Sequence, residues 1–251
     1  MTAFSVIIPA RYGASRLPGK PLLALAGRPV IEHVFARAAQ SGAEQVIVAT
    51  DDPRIAEVAE GFGATVSMTR SDHASGTDRL VEVVDGLDLP ADAVIVNLQG
   101  DEPLMPPALV AQVAGLLAAS PGAAMATLST PLQDADEWHD PHVVKVVTDQ
   151  QGRALYFSRA PIPWDRAGAG GEAVALARRH IGLYAYRAGF LRDYPQLPVS
   201  GLERLEQLEQ LRALEAGVTI QVADAIEAPG PGIDTADDLL VAEARLSEEG
   251  A

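Results

Sequence analysis

The feature that most constrains the fold is an alternation in the first half of the chain, where short Val/Ile-rich runs are separated by stretches with helical periodicity. Strand-like runs occupy Phe4–Ile8, Gln45–Ala49, Thr65–Met68 and Ala93–Leu98. Helical patterns fill Pro29–Gln40, Pro53–Glu60, Thr77–Val84 and Pro106–Ala119. Continuous apolar strands alternating with amphipathic helices predict an α/β fold, in which a mostly parallel sheet carries helices on both faces. Thr77 is expected to cap its helix, and Pro29 and Pro106 suit first-turn positions.

The second half is less regular. Strands are expected at Val143–Val147, Ala154–Phe157 and Ile181–Tyr186, with a Gly/Ala-rich surface loop from Trp164 to Glu172. A helix from about Glu203 to Ala216, a strand at Thr219–Val222 and a helix after Asp234 complete the pattern, with Thr235 and Asp238 spaced as a capping box. No internal repeat or low-complexity linker divides residues 1–251, so a single domain is expected.

Composition removes several function classes. With 34 acidic against 19 basic residues the formal charge is -15, which disfavours general nucleic-acid binding. Small anions remain possible ligands, because screening over ~8 Å lets a local cation cluster decide. The absence of cysteine rules out disulfides, thiolate metal sites and cysteine nucleophiles, and it fits a reducing compartment. The longest apolar candidate, Ala108 to Ala119, falls short of the ~20 residues that a membrane span requires. No signal-peptide pattern surrounds the first strand, and the expected location is the cytoplasm.

Cations concentrate at one place. The first strand runs into Pro9-Ala10-Arg11-Tyr12-Gly13-Ala14-Ser15-Arg16-Leu17-Pro18-Gly19-Lys20-Pro21, with Arg11, Arg16 and Lys20 inside ten residues. Open α/β sheets present ligands at strand carboxyl ends, glycines let backbone N–H groups approach phosphate, and Arg and Lys neutralise its charge. The loop therefore predicts phosphate binding. It is not a P-loop, since five residues separate Gly13 from Gly19 and Pro21 follows Lys20, and no G-x-G-x-x-G follows the strand.

Acidic residues suggest a metal. Asp101 follows the fourth strand in Asn97-Leu98-Gln99-Gly100-Asp101-Glu102-Pro103, and reads equally as a Mg²⁺ ligand or a turn residue. Asp234, in Pro231-Gly232-Ile233-Asp234-Thr235, reads first as a helix cap. His139 and His142 read as a surface turn and not as a metal pair, because Asp140-Pro141 between them breaks helical geometry.

Together these segments resemble one family. IPARYGASRLPGKPL (Ile8–Leu22), MTRSDHASGTDRL (Met68–Leu80), VNLQGDEPL (Val96–Leu104), ALYFSRAPIPWDR (Ala154–Arg166), RHIGLYAYR (Arg179–Arg187), LERLEQLEQLR (Leu202–Arg212) and PGPGIDTADDL (Pro229–Leu239) are similar, in the same order, to the signatures of the 3-deoxy-manno-octulosonate (Kdo) cytidylyltransferases. The resemblance implies a Rossmann-like domain with a smaller β-rich portion, about residues 143–186, that contributes to sugar binding and to a homodimer. It implies that CTP and Kdo are joined to give CMP-Kdo and pyrophosphate for lipopolysaccharide synthesis, with Mg²⁺ as cofactor and with neither nucleic acid nor membrane as partner. Arg11, Arg16 and Lys20 would hold the triphosphate, with Ala10, Arg70, Ser75, Gly76 and Gln99 around the nucleotide. Arg16, Lys20 and Asp101 would carry the chemistry. Asp101 and Asp234 would ligate Mg²⁺, against the first reading of Asp234. Arg159, His180, Tyr184, Glu209 and Gln210 would surround the sugar acid. Two rivals share parts of this pattern: a cytidylyltransferase for sialic acid or an amino-Kdo, and a nucleotide-binding regulatory module without turnover.

Overall fold

A computed structural model describes residues 2–13, 16–73, 75–166 and 171–249. In chain order the strands are β1 (Phe4–Ala10), a small hairpin of β2 (Ala24–Leu25) and β3 (Arg28–Pro29), β4 (Gln45–Thr50), β5 (Thr65–Met68), β6 (Val94–Asn97), β7 (Met125–Pro131), β8 (Lys145–Thr148), β9 (Ala154–Ser158), β10 (Arg178–Arg187) and β11 (Ile220–Asp224). The α-helices are α1 (Val30–Gln40), α2 (Pro53–Gly61), α3 (Gly76–Asp85), α4 (Pro107–Ala118), α5 (Ala135–His139), α6 (Gly171–Leu176), α7 (Ala188–Asp193), α8 (Gly201–Glu206), α9 (Gln210–Glu215) and α10 (Ala236–Glu249).

Nine strands form the main sheet: seven lie in the order β11-β7-β10-β6-β1-β4-β5, and β8 pairs with both β10 and β9 off that path. β1 pairs in parallel with β4 and β6, β4 with β5, and β7 with β11, while β10 runs antiparallel between β6 and β7. Strand periodicity explains the two-sided core. Val6 and Ile8 of β1 face a cluster with Val30, Ile31 and Val34 of α1 and Leu109, Val110 and Val113 of α4. Ile7, pointing the other way, joins Ile47, Ile95 and the α3 residues Leu80, Val83 and Val84. A strand buried on both faces has no polar side to alternate with, so its sequence is a continuous apolar run.

The chain leaves β1 toward β4 and β5, then returns to place β6 on the opposite side of β1. This reversal opens a crevice beyond the carboxyl ends of β1 and β6, the position at which open α/β sheets bind ligands.

Ser75, not Thr77, caps α3: its hydroxyl accepts from Asp78 N and the Asp78 side chain answers to Ser75 N, so the helix starts one turn position earlier. Pro29 lies just outside α1 as its N-cap, and Pro106 stands in the same position before α4, with Pro107 inside the first turn. The expected helix from Glu203 to Ala216 is two helices, α8 and α9, because Gln207 adopts a left-handed conformation (φ 54°, ψ 48°) that no helix continues through. β7 was not anticipated, since its Ala, Thr and Ser residues lack the Val/Ile signature, although Met125 to Ser129 are buried between β10 and β11. The loop expected from Trp164 to Glu172 is interrupted by the start of α6 at Gly171, and residues 167–170 lie outside the described residues.

Candidate active site

The loop after β1 is folded back on itself around Gly19. That residue sits at φ 72°, and its amide donates to Tyr12 O at 2.9 Å. A Cβ here would lie 3.1 Å from the Tyr12 ring, so glycine is needed both for the turn and for the approach. The fold delivers the next residue, Lys20, almost fully buried at the base of the crevice. Its Nζ donates to Asp101 Oδ2 at 2.8 Å, to Ile233 O at 2.6 Å and to Asp234 Oδ1 at 3.3 Å. Arg16 reaches the same Asp234 carboxylate at 3.0 Å. Ala14 and Ser15 of this loop lie outside the described residues.

Asp101 comes from the β6 end and Asp234 from the turn before α10, so two carboxylates distant in sequence converge on one cation. The α10 cap is Thr235, whose hydroxyl accepts from Asp238 N while its own amide donates to Asp238 Oδ2. The expected capping box is present, and Asp234 is not the cap. Gly100 lets the β6 end cross the β1 end closely, since a Cβ there would stand 2.8 Å from Pro9 O. Glu102, beside Asp101, is pushed up to about 8 by burial, with the Asp101 and Asp234 carboxylates adding to the shift.

A cavity of about 300 Å³ opens over this base. Ala10, Arg11, Arg16, Lys20, Ser75, Gly76, Gln99, Asp101 and Asp234 all stand in its walls, which brings together residues that the resemblance assigned to the nucleotide and to the metal. The same cavity includes His73 and Arg79, which sequence reasoning did not single out. Arg79 lies on the buried face of α3, where its guanidinium donates to Thr69 Oγ1 and pairs with Asp51 at 3.3 Å. A charged residue on an otherwise apolar helix face was the available signal. Burial lowers its pKa, with Asp51 opposing.

A second cavity of about 250 Å³ adjoins, lined by residues that include Asn97, His180, Tyr184, Tyr186, Tyr194, Gln207, Glu209 and Gln210. Gln99 and Glu209 belong to both walls, so the two chambers share a boundary. His180, Tyr184, Tyr186 and Tyr194 of this wall belong to a chain of aromatic contacts that Phe157 and Phe190 complete from behind, with neighbouring centroids 5.1–6.4 Å apart. Thr127 Oγ1 lies 3.0 Å from His180 Nε2 where β10 shifts register between Ile181 and Tyr184. Dehydration by these neighbours pushes His180 down to about 3, so its imidazole is neutral. Burial also raises Tyr184, Tyr186 and Tyr194, keeping their hydroxyls protonated. Among the described residues the buried hydroxyls of Tyr184 and Tyr194 have no hydrogen-bond partner. Unpaired buried hydroxyls are costly, and a polar ligand would satisfy them. Glu209 accepts from Thr77 Oγ1 at 2.9 Å, and burial raises its pKa despite that bond.

Two anticipated residues lie outside both walls. Arg70 is exposed, 3.2 Å from Asp72. Arg159 donates from Nε to Glu206 O at 2.7 Å and from Nη1 to Pro141 O at 2.9 Å. His139 and His142 are exposed, and among the described residues no group of three potential ligands surrounds a metal position.

Comparison with known proteins gives a consistent result. The family described as cytidylyltransferase matches residues 5–220. The 3-deoxy-manno-octulosonate cytidylyltransferase of Halorhodospira halophila is 59% identical over 249 residues, covering 97% of each chain. Its counterpart of the same name in Pseudomonas syringae pv. syringae is 55% identical over 242 residues, covering 94% of this chain and 95% of that one. A solved structure of CMP:2-keto-3-deoxy-manno-octonic acid synthetase complexed with CTP shares 44% identity and a TM-score of 0.91, over 98% of this chain and 100% of that one.

Proposed function

The chain belongs to the 3-deoxy-manno-octulosonate cytidylyltransferase family, and from that premise we propose that it joins CTP and Kdo to give CMP-Kdo and pyrophosphate, supplying activated Kdo for lipopolysaccharide. The observation that carries this reading is the shared boundary of two unlike chambers. One is built on Arg11, Arg16 and Lys20, and the other on Tyr184, Tyr194, His180, Glu209 and Gln210.

In this reading the cationic chamber takes the triphosphate, and Gln99, Ser75 and Gly76 lie beside the nucleoside. The second chamber takes the sugar acid. Its neutral imidazole, carboxamide and phenol groups suit hydroxyls, which both donate and accept. The anomeric oxygen of Kdo then forms a bond to the α-phosphorus as the bond to the bridging oxygen of the β-phosphate breaks. Pyrophosphate leaves and the hydroxyl gives up its proton. Charge builds on the leaving pyrophosphate, where Arg16 and Lys20 neutralise it.

The carboxylates of Asp101 and Asp234 fit a divalent cation. Both already converge on one cationic group, the Lys20 ammonium, and Mg²⁺ needs only one or two protein carboxylates besides phosphate oxygens. Bound there, Mg²⁺ would offset charge on the phosphates. Lys20, freed from the pair, would be available to them. Arg159 meets the sugar carboxylate only by exchanging the carbonyls of Pro141 and Glu206 for it, and Arg70 reaches the nucleotide only by leaving Asp72. Residues 143–186 are proposed to contribute to a homodimer, which sedimentation would test, and the cytoplasm is the proposed location.

A substrate matrix tests the reading. Pyrophosphate release should require CTP, Kdo and Mg²⁺ together. Release with sialic acid or an amino-Kdo in place of Kdo would overturn the sugar assignment, and CTP binding without release for any acid would favour a regulatory module.

A further inference from the structure

The corner between α8 and α9 carries much of the sugar-acid wall. Gln207, Leu208, Glu209 and Gln210 all line the second cavity, and all lie within four residues of a left-handed turn at Gln207. A residue with a Cβ is disfavoured in that conformation, so other contacts must hold the turn. The strongest of these joins the two helices across it. Arg212 Nε donates to Glu203 Oε2 at 2.8 Å and Arg212 Nη2 to Glu203 Oε1 at 2.6 Å, a two-pronged pair. Only 10% and 15% of the Glu203 and Arg212 side chains are exposed.

Glu203 is held from its own side as well, because it completes the α8 capping box with Ser200. Arg212 extends the bracing into the cavity wall, its guanidinium carbon lying 4.7 Å from the centre of the Tyr194 ring. The pair therefore fixes two parts of the same chamber, the Gln207–Gln210 corner and the Tyr194 face, while lining neither cavity itself.

We propose that the Glu203–Arg212 ion pair is a positioning device for the sugar-acid chamber, setting where Glu209, Gln210 and Tyr194 stand without touching substrate. The inference rests on the second cavity being the Kdo site. Removing one partner leaves a buried charge and releases the corner, and displacement of substrate-facing groups by a fraction of an ångström is enough to weaken one substrate selectively.

The test is steady-state kinetics with each substrate varied in turn, on wild type, Arg212→Met, Arg212→Lys and Glu203→Gln. The expected result for Arg212→Met and Glu203→Gln is a KM for Kdo raised about tenfold or more, with the KM for CTP within about twofold of wild type. Arg212→Lys, which keeps the charge but loses the fork, should recover part of the difference. Equal shifts in both KM values, or a lowered Tm with neither KM changed, would overturn the inference and leave a purely structural brace. If Arg212→Met fails to fold, Glu203→Gln decides by the same two KM values, since Gln still serves in a capping box. Wild-type protein that turns over CTP with a different sugar acid would instead overturn the Kdo assignment; the Glu203→Gln shift, measured with that acid, still judges the ion pair.

Discussion

Lys20 joins three segments far apart in sequence, and the consequences of that convergence can be tested one residue at a time. On the proposed metal role, Asp101→Asn keeps the shape of the side chain but removes the charge that would hold Mg²⁺, so turnover should fall by on the order of a hundredfold or more, most severely at limiting Mg²⁺. Gly100→Ala would drive a Cβ to 2.8 Å from Pro9 O, a backbone atom that cannot move aside cheaply. Its expected effect is a stability loss of about 1–3 kcal/mol in urea unfolding, with weakened CTP binding. His180 has a different signature. Its folded pKa, about 3, lies below the usual 6.5, so the unfolded chain binds the proton first. The His180 contribution is complete above about pH 6.5 and is lost as pH falls toward 3. Urea midpoints of His180→Gln should therefore decline less than wild type between pH 7 and 5. At this scale the cationic loop in the wall of the first cavity was legible because three cations stand together in an acidic chain. Asn97 and Tyr194 were not, since nothing local distinguishes a residue on a cavity wall from one in the core.

Among the elements, β1, β4, β5 and β6 follow directly from their apolar runs, and the crevice between β1 and β6 follows from their order. β7 did not, because burial between two strands does not demand large side chains. The break between α8 and α9 was hidden for another reason: Leu205, Leu208 and Leu211 keep an unbroken helical spacing while Gln207 turns the backbone. Leu205 is in fact exposed, whereas Leu208 and Leu211 are buried. Caps were easier to find than to place. The Ser75–Asp78 box sets the start of α3, and Ser75→Ala should cost about 1 kcal/mol in a urea midpoint, against little change for an exposed serine elsewhere.

For the molecule as a whole, the sheet brings the carboxyl ends of two neighbouring strands to a reversal point, and segments from the second half complete the site around them. The residues anticipated around the nucleotide converge on one cavity with the exception of Arg70, and those anticipated around the sugar acid converge on the other with the exception of Arg159. Both exceptions are arginines held by other partners, Arg70 by Asp72 and Arg159 by two backbone carbonyls. Long flexible side chains are where a motif identifies a residue without fixing where its charged end rests. In the proposed function the two chambers hold two specific substrates for one transfer. Pyrophosphate release measured across CTP, Kdo, sialic acid and Mg²⁺ tests that claim most directly. Release should appear only when CTP, Kdo and Mg²⁺ are all present, and equal release with sialic acid, or release undiminished after chelation of Mg²⁺, would contradict it.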